Sequence, residues 1–253
     1  MHTPTKTTIL IFVLIMSVVA TDAHSQRRPI TTEEKQEFLN AVKAGDETKV
    51  RDLLKANADF GKVKDEKGVS AVLQAVYNGR DKIANILIAT GIKLDIFEAS
   101  ATGETKRVRQ LLANKRELVN QFSPDGFTPL GLASFFGHLD TVRLLLDKGA
   151  KVDVPSKNSL KAVPLRSASV AGHLEVSKLL IARGANVNAL GEGGETPLHE
   201  VAGVGRIEFA KLLLDHGANI NARGDSGKTP LTIAIENNKK EMAEFLRSKG
   251  GIE

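Results

Sequence analysis

Thr196-Pro197-Leu198-His199-Glu200-Val201-Ala202-Gly203-Val204-Gly205 is the stretch from which the rest of the chain can be read. Pro197 suits the first turn of a helix, where a missing N–H has no helical partner to lose. Gly205 breaks that helix. A second helix is predicted over Ile207 to Asp215, with Ile207, Ala210, Leu213 and Leu214 at helical spacing. Gly217 ends it as a left-handed cap. Asn219-Ile220-Asn221-Ala222 then leads into a turn rich in Gly and Asp, which projects as a finger. The chain writes this unit repeatedly. Thr128-Pro129, Val163-Pro164, Thr196-Pro197 and Thr229-Pro230 stand 35, 33 and 33 residues apart. Gly45, Gly79, Gly103, Gly137, Gly172 and Gly205, with Asn238 in the last copy, follow at intervals of 34, 24, 34, 35, 33 and 33. Such a period means one supersecondary unit copied and stacked, its core buried between neighbours. Seven copies fit the register.

These residues resemble the ankyrin repeat family. The resemblance rests on Thr196-Pro197-Leu198-His199, Gly137-His138-Leu139-Asp140, Gly172-His173-Leu174-Glu175, Leu212-Leu213-Leu214 and Gly217-Ala218-Asn219-Ile220-Asn221-Ala222, and it runs from about residue 34 to 253. It implies an all-α solenoid of about seven helix-turn-helix units with β-hairpin finger loops. It also implies a binding role through the concave face and finger tips, with His138, His173 and His199 bracing adjacent copies. The chain departs from the pattern in places. The third copy is ten residues short, so that Gly91-Ile92-Lys93-Leu94-Asp95 runs straight into Ile96. Its finger is missing, which predicts a notch in the finger row. The loop before the fifth copy, from Asp153 to Val163, is two residues longer than its neighbours.

Ahead of the repeats the composition changes. Lys6 gives a positive start, Ile9 to Ala20 is an apolar run broken only by Ser17, and small residues offer cleavage points at Ala20 and Ala23. That layout predicts a secretory signal peptide over 1–23, a polar linker over 24–30 and the repeat domain over 31–253. Thr31 and Glu34 read as a capping box that opens the first helix. The apolar run is shorter than the ~20 residues a membrane-spanning helix needs. Localisation is therefore expected to be periplasmic or secreted, with no membrane insertion after cleavage. The chain has no cysteine, which excludes thiol nucleophiles, thiolate metal sites and disulfides.

Charge is mixed along the chain, with 35 basic and 30 acidic residues. The densest basic stretch, Lys106, Arg107, Arg109, Lys115 and Arg116, has no interleaved aromatic residue and reads as a solvated helix face. A nucleic-acid partner is not expected. Ala222-Arg223-Gly224-Asp225-Ser226-Gly227-Lys228-Thr229 loosely matches a phosphate-binding loop, but it fills the finger slot of the last copy instead of following a buried strand. No zinc-protease pair, nucleophile elbow or paired carboxylate appears, so no catalytic residue, cofactor or metal is expected.

The stronger signal is apolar residues where the register predicts exposure. In the family's first helix, the fifth, eighth and ninth positions from the Thr of Thr-Pro face the groove. In the fourth copy these are Leu132, Phe135 and Phe136, with Phe122 and Phe127 flanking its finger. Tyr77 in the second copy, Glu200 in the sixth and Arg223 at the last finger complete the expected partner-binding set. An exposed aromatic cluster marks a partner site. The expected function is a monomeric, non-catalytic scaffold in the cell envelope or secreted, binding another protein, with inhibition or protection of an exported enzyme as one form. The alternative is a secreted effector that captures host proteins.

Overall fold

A computed structural model describes residues 28–253. The signal-peptide expectation over 1–23, and most of the linker, lie outside the described residues. Among the described residues, fourteen α-helices pair into seven copies. In chain order they are α1 (Thr32–Ala44) with α2 (Glu47–Ala56), α3 (Ala71–Tyr77) with α4 (Asp81–Ala89), and α5 (Ile96–Ala101) with α6 (Thr105–Asn114). Then come α7 (Pro129–Phe135) with α8 (Leu139–Asp147), and α9 (Pro164–Ala171) with α10 (Leu174–Ala182). α11 (Pro197–Val204) with α12 (Ile207–Asp215), and α13 (Pro230–Glu236) with α14 (Lys240–Ser248), complete the array. The first helix of each copy packs on the first helix of the next, in an unbroken row from α1 to α13. This is the all-α repeat solenoid that the period predicts.

Local chemistry explains each break. Thr31 and Glu34 form the expected capping box: the Glu34 N–H donates to Thr31 Oγ1 at 3.2 Å, and the Thr31 N–H donates to Glu34 Oε2 at 3.0 Å. Thr128 Oγ1 accepts from the Gly131 N–H at 3.0 Å, with Pro129 in the first turn of α7. The turn between paired helices needs the left-handed region, and Gly137 shows why glycine holds it. Its φ is +76°, and an added Cβ would stand 2.3 Å from Nδ1 of His173 in the next copy. Only Asn238, at φ +56°, does this work without being glycine. α2 and α6 lack the second glycine. Each ends in a non-helical residue, Asn57 or Lys115, followed by a short 3₁₀ turn.

Two polar ladders tie the copies together. On the helix side, Arg80 Nε donates to Lys43 O at 3.0 Å, and Arg206 Nε donates to Val170 O at 3.2 Å. His138 Nε2 pairs with Ala101 O at 2.9 Å, so the bracing expected of this histidine is present. On the loop side, Asn120, Asn188 and Asn221 each donate to the glycine carbonyl that ends the second helix of the next copy, at 3.0 to 3.2 Å. The same three amides accept from backbone N–H groups of Lys151, Asn219 and Ile252. His199 is fully buried between copies. Its Nδ1 accepts from the Thr196 N–H at 3.1 Å and its Nε2 donates to Lys228 O at 3.1 Å.

The fingers are hairpin loops without regular strands. Among the described residues no strand forms, and the second copy's finger has a single antiparallel bridge, Lys64 to Ser70. The others are tight turns closed by bonds such as Ser123 N–H to Phe127 O, Gly191 N–H to Glu195 O and Gly224 N–H to Lys228 O. They are too short for a ladder to propagate.

One expectation needs correction: the predicted notch is closed. The third copy does lack a finger, and α5 follows α4 after only residues 90–95. It starts on its own capping box, with Asp95 Oδ1 accepting from Phe97 and Glu98 N–H at 2.9 Å each. The fourth finger takes up the space. Pro124 lies so near the second finger that a Cβ on Gly68 would meet it at 3.3 Å. Tyr77 of the second copy donates to Asp125 Oδ2 of the fourth at 2.5 Å. Beneath this contact Val69, Leu73, Ala101 and Leu132 form a small second core, edged by Tyr77, Phe97, Phe127 and Phe136.

Candidate functional site

The groove side of copies two, four, five and six encloses a cavity of about 460 Å³. Its apolar walls are Phe127, Leu132, Phe135, Leu160, Ala162 and Val170, and its polar ones are Tyr77, Asp125, Arg166, Ser167 and Glu200. α7 supplies Leu132 and Phe135, α9 supplies Arg166, Ser167 and Val170, and α11 supplies Glu200. The long fifth finger brings Leu160 over one side. Its tip turns through Lys161, at φ +44°. A volume of this size, apolar and preformed, is ordinary for a ligand-binding site.

Four of the polar groups of the wall form two pairs, Tyr77 with Asp125 and Arg166 with Glu200. Tyr77 Oη donates to Asp125, whose other oxygen accepts from Ser123. Burial first, and then the Asp125 carboxylate, push the Tyr77 hydroxyl well above the ordinary phenol range, so it stays a donor. Arg166 pairs with Glu200 through Nη2 and donates from Nη1 to Leu160 O at 2.7 Å. That second bond fastens the long finger to α9. Beside Glu200, the Glu195 carboxyl is held above the usual carboxylate range by burial and by the Glu200 charge.

Five of the eight expected residues therefore line one cavity: Tyr77, Phe127, Leu132, Phe135 and Glu200. Their exposures differ. Phe135 is 45 % exposed. Leu132, expected to face the groove, is 1 % exposed and belongs to the second core that underlies the closed notch. Phe136 is half-buried, stacked on Tyr77 with ring centres 6.0 Å apart and edge-on to Phe135 at 5.0 Å. Phe122 and Arg223 are not part of the cavity. Phe122 lies under Lys157 Nζ at 4.2 Å. Arg223 donates to Gly227 O at 2.6 Å and to Glu253 O at 3.2 Å.

Sequence reasoning missed Leu160, Arg166, Ser167 and Val170. The last two had a usable signal, because they occupy the same fifth and eighth positions in the fifth copy as Leu132 and Phe135 do in the fourth. Arg166 stands in the slot that His199 fills in the sixth copy, and Leu160 is an apolar residue in the lengthened loop. Among the described residues no group of three or more His, Asp or Glu is placed to hold a metal ion. No helix of the described residues is long and apolar enough to cross a membrane.

Comparisons with known proteins agree with this architecture. A family model described as "Ankyrin repeats (3 copies)" matches residues 96–156 and 165–253, more than half of the chain. The chain is 37 % identical over 84 residues to the human (Homo sapiens) DNA-binding protein RFXANK, covering 33 % of this chain and 32 % of that protein. It is 30 % identical over 119 residues to alpha-latrocrustotoxin-Lt1a of Latrodectus tredecimguttatus, covering 44 % of this chain and 8 % of the toxin. It is 34 % identical over 65 residues to human ankyrin repeat and SAM domain-containing protein 3, covering 26 % of this chain and 10 % of that one. The alignments thus span at most about a third of these relatives' own length. The family model matches the third copy onward, and the structure carries the same unit back to Thr32. Period, paired helices, left-handed turns and family match coincide, and the chain belongs to the ankyrin repeat family, whose repeats form protein–protein interaction scaffolds.

Proposed function

We propose that this chain is an exported, non-catalytic scaffold that binds a protein of the cell envelope or of the secreted fraction through the concave groove of its second to sixth copies. The observation that carries this reading is the cavity around Phe135. It combines apolar walls, with Phe135 and Leu160 exposed, and two polar pairs, Tyr77–Asp125 and Arg166–Glu200, whose donors stay bonded when water leaves. Its walls come from packed helices and a finger fastened by Arg166, so little ordering is needed on binding. A rigid concave surface of this kind suits blocking or shielding the surface of an exported enzyme. Export itself rests on the charged start, the apolar run Ile9 to Ala20 and the small residues at Ala20 and Ala23.

The test is a pull-down from the native envelope fraction with wild type and a Phe135→Ala/Leu160→Ala variant. Both side chains are 45 % exposed, so the variant keeps its fold. One protein retained by wild type and lost by the folded variant supports the groove. Equal retention by both removes it. Export is checked by N-terminal sequencing of the chain from its native cell, which is expected to begin after Ala20 or Ala23.

A further inference from the structure

We propose that the central cavity takes a partner segment in which an apolar side chain stands next to a lysine or arginine. This rests on the groove reading above and names the chemistry the groove selects. The apolar half follows from the walls. Phe127, Phe135, Leu160, Ala162 and Val170 meet the ligand, and the hydroxyl of Tyr77 and the guanidinium of Arg166 already have their acceptors. The acceptor sites left in the lining belong to the Asp125 and Glu200 carboxylates, so an apolar group suits the walls and a cationic donor suits the carboxylates.

The basic half follows from charge on and next to Glu200 of the lining. Glu192, Glu195 and Glu200 come from one finger and the helix after it, and the Glu195 carboxyl lies within hydrogen-bonding reach of Glu200. Arg166 is the one cation paired into this group. Of the other basic residues nearby, Lys228 pairs with Glu236 at 2.6 Å, Arg223 is turned onto Gly227 and Glu253 carbonyls, and Lys161 of the fifth finger follows Leu160, whose carbonyl accepts from the Glu192 N–H at 3.3 Å. Glu192, Glu195 and Glu200 against Arg166 and Lys161 leave this edge of the apolar cavity net negative. Burial, and after it the Glu200 charge, hold Glu195 above its ordinary range, with Arg166 opposing. An ammonium or guanidinium from the partner relieves that crowding. An acidic segment is repelled by it.

The experiment is selection of phage-displayed random dodecapeptides on the full chain, with the Phe135→Ala variant as counter-target. Enriched peptides are expected to share an apolar residue next to Lys or Arg. Synthetic versions should bind wild type at least about tenfold more tightly than Phe135→Ala. A Glu192→Gln/Glu195→Gln variant should lose about threefold to fivefold for the basic peptide and nothing for the same peptide with Lys or Arg replaced by Ser. Peptides that depend on Phe135 but carry no basic residue, or an acidic one, would overturn the proposed chemistry and leave the groove standing. Peptides indifferent to Phe135→Ala, or no enrichment, would overturn both. Sedimentation of the chain alone adds an arm: a dimer dissolved by Phe135→Ala would seat a second copy in the groove and overturn the proposal.

Discussion

Leu132 and Phe135 stand three residues apart on α7 and have opposite surroundings. Leu132 is closed in by Val69, Leu73 and Ala101 of the preceding copies, whereas Phe135 leaves nearly half its surface open. Truncation should separate them. Leu132→Ala is expected to cost about 2–5 kcal/mol of folding stability, as a buried leucine does. Phe135→Ala should change stability by less than about 1 kcal/mol and cost about 2 kcal/mol of partner binding. Urea melts followed by circular dichroism read the first, and calorimetric titration reads the second. Helical register alone could not separate the two, because the second core that buries Leu132 exists only where a finger is missing.

Histidine carries the pH dependence. Burial pulls His199 below the ordinary imidazole range, against smaller opposing contributions from the Lys228 and Ala222 backbones. Burial likewise lowers His173, which the Phe135 backbone partly opposes. The folded state thus resists protons that the unfolded chain accepts. Stability is full above the unfolded imidazole value of about 6.5 and falls as pH drops below it toward the depressed folded values. Glu98 and Glu195, raised mainly by burial, act in the opposite sense at lower pH. Melts of wild type and His199→Gln at pH 7.5, 6.5 and 5.5 check this. The variant is expected to be less stable at every pH and to lose less on acidification. Equal slopes for the two chains would remove His199 as the cause.

At the scale of elements, the third copy decides the shape of the groove. Its Asp95 and Glu98 capping box starts α5 where the fourth, sixth and seventh copies use a finger and a Thr-Pro step. The fourth finger then leans across and is held by Tyr77 and Asp125. Tyr77→Phe keeps the ring and removes the bond. It should cost about 1–2 kcal/mol, because the half-buried Asp125 carboxylate loses a donor. Amide exchange at residues 123–127 should speed up while α9 to α14 stay unchanged. The missing finger was legible from the interval between Gly79 and Gly103, which at 24 residues is ten shorter than its neighbours. Its consequence was not, because closure depends on a contact between residues 48 apart that belongs to neither local motif nor period. The turns were legible residue by residue, since each helix pair needs a left-handed residue at a fixed place. The fifth finger was legible only in its length. Leu160 and Arg166 form a wall through tertiary contacts that the repeat pattern does not encode.

At the scale of the whole molecule, each copy touches chiefly its neighbours, so stability is a sum of units and the interfaces between them. The asparagine ladder is one such interface. Asn188 donates to Gly217 O at 3.0 Å and accepts from Asn219 N–H at 2.8 Å, joining the fifth and sixth copies. Asn188→Ala is expected to cost about 1–2 kcal/mol and to weaken coupling along the array. Amides of α11 to α14 should then exchange sooner than those of α1 to α8, with a broadened unfolding transition. A single sharp transition with uniform exchange would show that the ladder carries no coupling.

The central claim is that the concave groove around Phe135 is the contact surface. The most direct measurement is hydrogen–deuterium exchange of the chain with and without the protein recovered from the envelope fraction. Slowed exchange confined to residues 123–136, 156–170 and 192–200 is the predicted footprint. Protection confined to α8, α10 and α12, on the second-helix side of the array, would contradict it.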